Sequence, residues 1–204
     1  SRLMNAEFER RDVVPDDAIF CSSDAECAEA AVSGIPFIPI AGELAHALGA
    51  GSVLISAGQQ CDILSIDQIL IKATSTSGEI FHFNANSDLT FGSYWHGEFH
   101  VITSTGWTGG REVCPRAHPG DGVLDYLRVE TAMSLRQRLK ARRKMRSGTH
   151  LPHPSLRVSR LTSLTLEGPM LLIVDGVARG KYAQIDCSIE ASSAQVVLPM
   201  ATAI

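Results

Sequence analysis

Residues 109–125, GGREVCPRAHPGDGVLD, hold the densest set of groups able to do chemistry. Gly109 and Gly110 permit tight backbone, and Pro115, Pro119 and Gly120-Asp121-Gly122 fix a turn. Asp121 and Asp125 follow at i and i+4. Carboxylates beside exposed carbonyls in a turn suit a hard cation, Mg2+ or Ca2+. The competing reading is a plain Asp-Gly turn between strands. In Gly148-Thr149-His150-Leu151-Pro152-His153-Pro154, two histidines stand at i and i+3. They form either part of a metal site or, with no Cys or third His nearby, a structural pair. Val174-Asp175-Gly176 puts one carboxylate at the end of an apolar run, where it acts as a catalytic group or as a turn residue. A fourth feature is electrostatic. Residues 136–146, RQRLKARRKMR, carry seven cations and no acid.

The elements that must position these groups change character along the chain. Ala18-Ile19-Phe20-Cys21 reads as a strand. Ser22-Ser23-Asp24 can cap a helix over Ala25–Ser33, because their side chains accept first-turn amides. Gly34 ends that helix. Ile35–Ile40 (IPFIPI) reads as a strand, and residues 42–49 as a short helix closed by Gly49. This β-α-β-α order marks a small α/β unit. From residue 51 the pattern becomes strand-rich. Ile63–Ala73, Glu79–Asn84, Phe99–Ser104, Val123–Val129, Ser155–Leu166, Met170–Val174, Ala183–Ile189 and Gln195–Leu198 are expected strands, several with period-2 alternation. Gly168-Pro169 is expected to turn the chain between two of them. One helix is expected, over residues 132–146. Residues 51–204 therefore read as an antiparallel β-sandwich.

Composition bounds the function. With 204 residues, 45% hydrophobic and 20% charged, the chain is neither disordered, collagenous nor a coiled coil. No stretch reads as a membrane span and no signal peptide is expected. Five cysteines without CxxC spacing suggest reduced thiols in a cytoplasmic protein. Removing the seven cations of 136–146 from the total of 18 leaves 11 against 22 acids. A basic segment on so acidic a body points to an anionic partner or to a solvated helix face. Nucleic acid is the weaker choice, because no aromatic residue lies in the segment to stack a base. At 100° per residue, Arg136, Lys140, Arg143 and Lys144 fall on one side, with Leu135, Leu139 and Met145 elsewhere. Binding to an anionic membrane surface through those four cations is expected to be electrostatic and salt-sensitive.

In order, "GG…P.A.P.DG.LD", a helix, "G.H..HP" and "VDG" resemble the C-terminal half of the diacylglycerol kinase and sphingosine kinase-like lipid kinases, from about Phe99 to Leu198. Residues 19–49 stand where that family has a strand, a GGDGT loop, a helix and "P.GT.ND.AR.LG". The resemblance implies an α+β fold. A truncated α/β nucleotide-binding-like unit over residues 1–50 would be joined by a C-terminal strand near 194–199, with a β-sandwich over 51–190. It implies ATP and Mg2+ as cofactors and a lipid hydroxyl as acceptor, with Asp175 as general base. Ser22, Ser23, Asp24, Gly42 and Glu43 would meet the nucleotide. Asp121, with the backbone carbonyls of His118 and Val123, would hold a structural Mg2+.

Departures from the family pattern concentrate in the nucleotide motifs. Of GGDGT, only the acid survives in Cys21-Ser22-Ser23-Asp24-Ala25. The next motif lacks its Gly-Thr, Gly42-Glu43 replace Asn-Asp, and His46 replaces Arg. Val177 follows the VDG glycine where the family has an acid. Phosphoryl transfer depends on positioning and charge neutralisation, and β-carbons crowd a loop that must approach phosphates through bare backbone. If the loop needs positive φ, each such residue also costs about 1 kcal/mol. The expectation is a catalytically degenerate lipid-kinase-like protein acting by binding or assembly. The alternative is an active ATP-dependent lipid kinase. An unpaired edge of the truncated unit favours a homodimer or a partner subunit.

Overall fold

The computed structural model describes residues 9–50 and 55–200. Residues 1–8, 51–54 and 201–204, which include the expected start of the sandwich at residue 51, lie outside the described residues. The N-terminal part holds β1 (Glu9–Val13), β2 (Ile19–Cys21), α1 (Asp24–Val32), β3 (Phe37–Pro39) and α2 (Glu43–Leu48). Ser23 caps α1 by accepting the Glu26 amide at 3.2 Å. The helix buries small residues, Cys27, Ala28, Ala30 and Ala31, which lets it lie close on β3. Gly49 ends α2 in the left-handed region at φ 68°, where a side chain would be strained.

The strand-rich part holds β4 (Gln60–Thr74), β5 (Ile80–Ala85), β6 (Asp88–Ser93), β7 (His96–Thr103), β8 (Leu124–Val129), α3 (Leu135–Lys144), β9 (Leu156–Leu161), β10 (Ser163–Val174) and β11 (Val177–Pro199). The ladder runs β1-β4-β11-β10-β6-β7-β8-β9, with β5 on the far half of β4. These pairings are all antiparallel. Its main core joins Ile69 and Ile71 of β4, Phe91 of β6, Ile102 of β7, Leu124 of β8, Leu172 of β10 and Ile185 of β11. The fold is an antiparallel sandwich with a small α/β unit. β2 and β3 run parallel, and Val196 near the end of β11 pairs in parallel with Phe37 of β3. Val196 and Val197 are both fully buried, as a strand covered on two faces requires.

Several expected elements differ. Gly168-Pro169 does not turn the chain. β10 continues through it, its register with β11 slipping between Glu167 and Met170, because a bulge accommodates a proline that cannot donate to the ladder. The strands expected at 183–189 and 195–198 are one strand, β11, with a bulge between Glu190 and Ala194 where Ser192 takes φ 52°. The strand expected at 155–166 divides at Thr162. β6 was not expected. Its Asp88, Leu89, Thr90 and Phe91 are all buried, so it lacks the polar-apolar alternation of a half-exposed strand. The helix expected over 132–146 spans 135–144, because Ser134 and Gln137 close a capping box there. A 3-10 turn, Met145–Ser147, follows it.

Candidate functional site: an acidic junction

The end of β2, the start of α2, the β5–β6 and β10–β11 connections and the loop after β7 meet in one place. Asp24, at the start of α1, accepts the backbone amides of Glu43 (2.8 Å) and Leu44 (3.0 Å), so its carboxylate caps α2 from outside. A β-carbon at Gly42 would overlap that carboxylate, which requires glycine there. Glu43 accepts the Gly110 amide at 2.6 Å, and His46 packs edge-on against Trp107 at 4.2 Å between ring centroids. Asp88 accepts the Thr108 hydroxyl at 2.5 Å. Asp175 accepts the amides of Asn86 (3.0 Å), Ser87 (3.0 Å) and Asp88 (3.1 Å). It does so from the left-handed region, at φ 46°.

Thus Asp24, Gly42, Glu43 and Asp175, singled out from sequence, do come together. Gly110, at the start of the 109–125 segment, joins them through Glu43, while Asn86, Ser87, Asp88 and residues 103–108 complete the junction and were missed. Their only signal was a run of Ser, Thr and Asn beside strands, which reads as surface loop. Here Asn86, Ser87, Thr103 and Ser104 are fully buried, each bonded to backbone or side chain.

Burial dominates the electrostatics. It pushes Asp175 up to about 6, against three amides that favour the anion, and Asp24 adds to the rise. It pushes Asp88 well above the carboxylate range, and Asp175, Asp24 and Glu43 reinforce the shift. Asp24 is raised by burial too, opposed by the α2 amides. None of the four carboxylates has an ion-pair partner among the described residues. Nor do three metal-ligating side chains converge on one point among those residues. A group at about 6 lies in the range for proton transfer.

The loop entering α1 is tied to itself. Ser22 donates its amide (2.6 Å) and hydroxyl (2.9 Å) to the Glu26 carboxylate. Its residues do not take positive φ, so the condition under which Ser22, Ser23 and Ala25 would be strained is not met. Asp121 is likewise engaged. One oxygen accepts the Val123 amide at 3.2 Å and the other pairs with the Arg160 guanidinium. Arg160 also stands 3.7 Å from buried Asp125, and burial pushes Asp125 up to about 6. The His118 ring accepts the Gly120 amide at 3.3 Å. The Asp121 carboxylate is therefore occupied by an amide and a guanidinium in this structure. His150 and His153 do not converge either. His150 is buried with Nε2 3.0 Å from the Val113 carbonyl, while His153 accepts the Ser155 amide at 3.1 Å.

On α3, Arg136, Lys140, Arg143 and Lys144 are exposed, on the face expected. Two departures stand out. Arg138 is 1% exposed, and Leu135 and Leu139 are 64% and 43% exposed beside the cations. No helix among the described residues is long and apolar enough to cross a membrane.

Comparison with known proteins bears on the fold. The family model described as "YegS C-terminal NAD kinase beta sandwich-like domain" matches residues 90–198. A solved structure of a "putative diacylglycerol kinase" from Bacillus anthracis str. Sterne superposes with a TM-score of 0.59 at 13% identity. It covers 90% of this chain and 78% of that one. A second, of a diacylglycerol kinase from the same organism, gives 0.55 at 13% identity, covering 92% and 78%. At such identity the likeness is one of fold. No curated protein matches the chain.

Proposed function

This chain belongs to the YegS C-terminal NAD kinase beta sandwich-like family, and from that premise we propose that it is a catalytically degenerate lipid-kinase-like protein acting by binding or assembly. One observation carries the reading: the Ser22 amide is given to Glu26 at 2.6 Å. A phosphate cradle works by presenting free backbone N–H groups to an anion. Here the amide is already occupied, and the group occupying it is a carboxylate that repels phosphate. Asp24 is held by the α2 amides, which supports a structural role for the one acid kept from the GGDGT loop. Assembly through the exposed Ile19 and Phe20 of β2 fits the same reading.

A second reading, an active ATP-dependent lipid kinase, is favoured by Asp175 alone. It is buried at the junction, and burial pushes it up to about 6, the range a general base needs. Thermal unfolding with Mg-ATP separates the two. A ligand at 100 times its Kd stabilises the native state by about 2.7 kcal/mol, a shift of several degrees. The expected result is no specific shift at millimolar Mg-ATP. A saturable shift, with lipid phosphorylation lost in Asp175→Asn, would overturn the degenerate reading and establish the second.

A further inference from the structure

We propose that the outward face of α3, together with Trp95, is an amphipathic docking surface that inserts into the interface of an anionic lipid bilayer. The helix is pre-formed and firmly seated. Its capping box sets the start, and Arg138, Ala141 and Met145 bury its inner face. What remains outside is a mixed stripe. Leu135 and Leu139, one turn apart, are 64% and 43% exposed, and Trp95 on the β6–β7 hairpin is 44% exposed. The Arg142 guanidinium lies 5.4 Å from the Trp95 ring centroid, so the hairpin and the helix form one surface. Arg136, Lys140, Arg143, Lys144 and Arg146 stand around it.

Charge complementarity selects the occupant. Between Glu130 and Glu167 the chain contains no acid, although the whole chain has a net charge of −4. The cations seek a polyanion. Nucleic acid would use them but gains nothing from two exposed leucines. A bilayer interface uses all three features: leucines among the upper acyl carbons, tryptophan at the headgroup level, and arginine and lysine at the phosphates. Binding is therefore more than electrostatic, a step beyond the purely electrostatic attachment expected from the cations. The inference does not depend on whether the acidic junction binds nucleotide. Mg-ATP reads the junction and vesicles read α3, so the two readings fail separately.

The chain has two tryptophans, so Trp107→Phe leaves Trp95 as the single reporter. The probe is phosphatidylcholine vesicles with and without phosphatidylglycerol, some carrying brominated acyl chains. The expected result is a blue shift and bromine quenching of Trp95 only on vesicles containing phosphatidylglycerol. Leu135→Ser combined with Leu139→Ser keeps every cation and is expected to weaken partition roughly tenfold or more. Both leucines are exposed, so the fold survives the change, and circular dichroism verifies it. Vesicle binding without Trp95 quenching, or full binding by the double serine variant, would overturn the proposal. So would binding to RNA or DNA oligomers without binding to vesicles.

Discussion

Among the described residues Arg138 is the largest fully buried side chain, and no acid among them neutralises it. Its guanidinium donates instead to four backbone carbonyls: Met133 (3.0 Å), Tyr94 (2.6 Å), Gly97 (2.5 Å) and Glu130 (3.0 Å). Those carbonyls belong to the turn before α3, to the β6–β7 hairpin and to the end of β8, so one side chain locks the helix to the sheet. Arg138→Met keeps the stem and removes the fork. Each buried carbonyl left without a donor costs about 1–3 kcal/mol, reduced where water enters. The sum, less the gain from burying a thioether, is about 3–5 kcal/mol. With a urea m-value of about 2 kcal/mol/M, the unfolding midpoint falls by ~2 M. Arg138→Lys keeps the charge but presents a point ammonium to a site shaped for a planar fork, so it recovers less than half. Arg136→Met, on the outer face, shifts the midpoint hardly at all. A drop below about 0.3 M for Arg138→Met, with an unchanged m-value, would refute this reasoning. The same variant is expected to lose vesicle binding although every exposed cation remains.

Asp125 is 1% exposed, and burial lifts it from 3.8 to about 6. An acid whose pKa is raised by folding holds its proton more tightly in the native state. Its contribution is therefore greatest at low pH and is lost as pH rises from about 4 to about 6, by ~3 kcal/mol. Asp175 acts in the same direction and window. Asp125→Asn should consequently stabilise the protein at pH 7.5 and flatten denaturant midpoints across that range; a destabilised variant with an unchanged pH profile would contradict the assignment. At the Asp121 turn, millimolar Mg2+ should leave the melting temperature of the native chain unchanged. Arg160→Ala, which frees Asp121 and Asp125, should melt higher with Mg2+ than without, and Mg2+-dependent melting of the native chain would show that Arg160 does not fill the cation's role.

The pattern of what could be read from sequence follows the range of the interactions involved. Ser23 capping α1, Gly49 ending α2 and the apolar runs of β4 and β8 are local events, and their residue types reveal them. So does the order of short motifs that brings Asp24, Glu43 and Asp175 to one junction. β10 and β11 were broken in two because Gly168-Pro169 and the Glu190–Ala194 stretch resemble turns. A turn and a bulge use similar residues, and only the neighbouring strand decides which forms. Arg138 shows the same limit more sharply. Within RQRLKARRKMR all seven cations look alike, and helical periodicity set Leu135, Leu139 and Met145 apart from four of the cations without marking Arg138 for burial. Local patterning assigns faces by hydrophobicity. It cannot register four carbonyls, two of them on a hairpin some forty residues away, that make burial of a guanidinium tolerable. Burial of Arg138 goes with the outward placement of Leu135 and Leu139, so the seat of the guanidinium and the surface the helix presents have one physical cause.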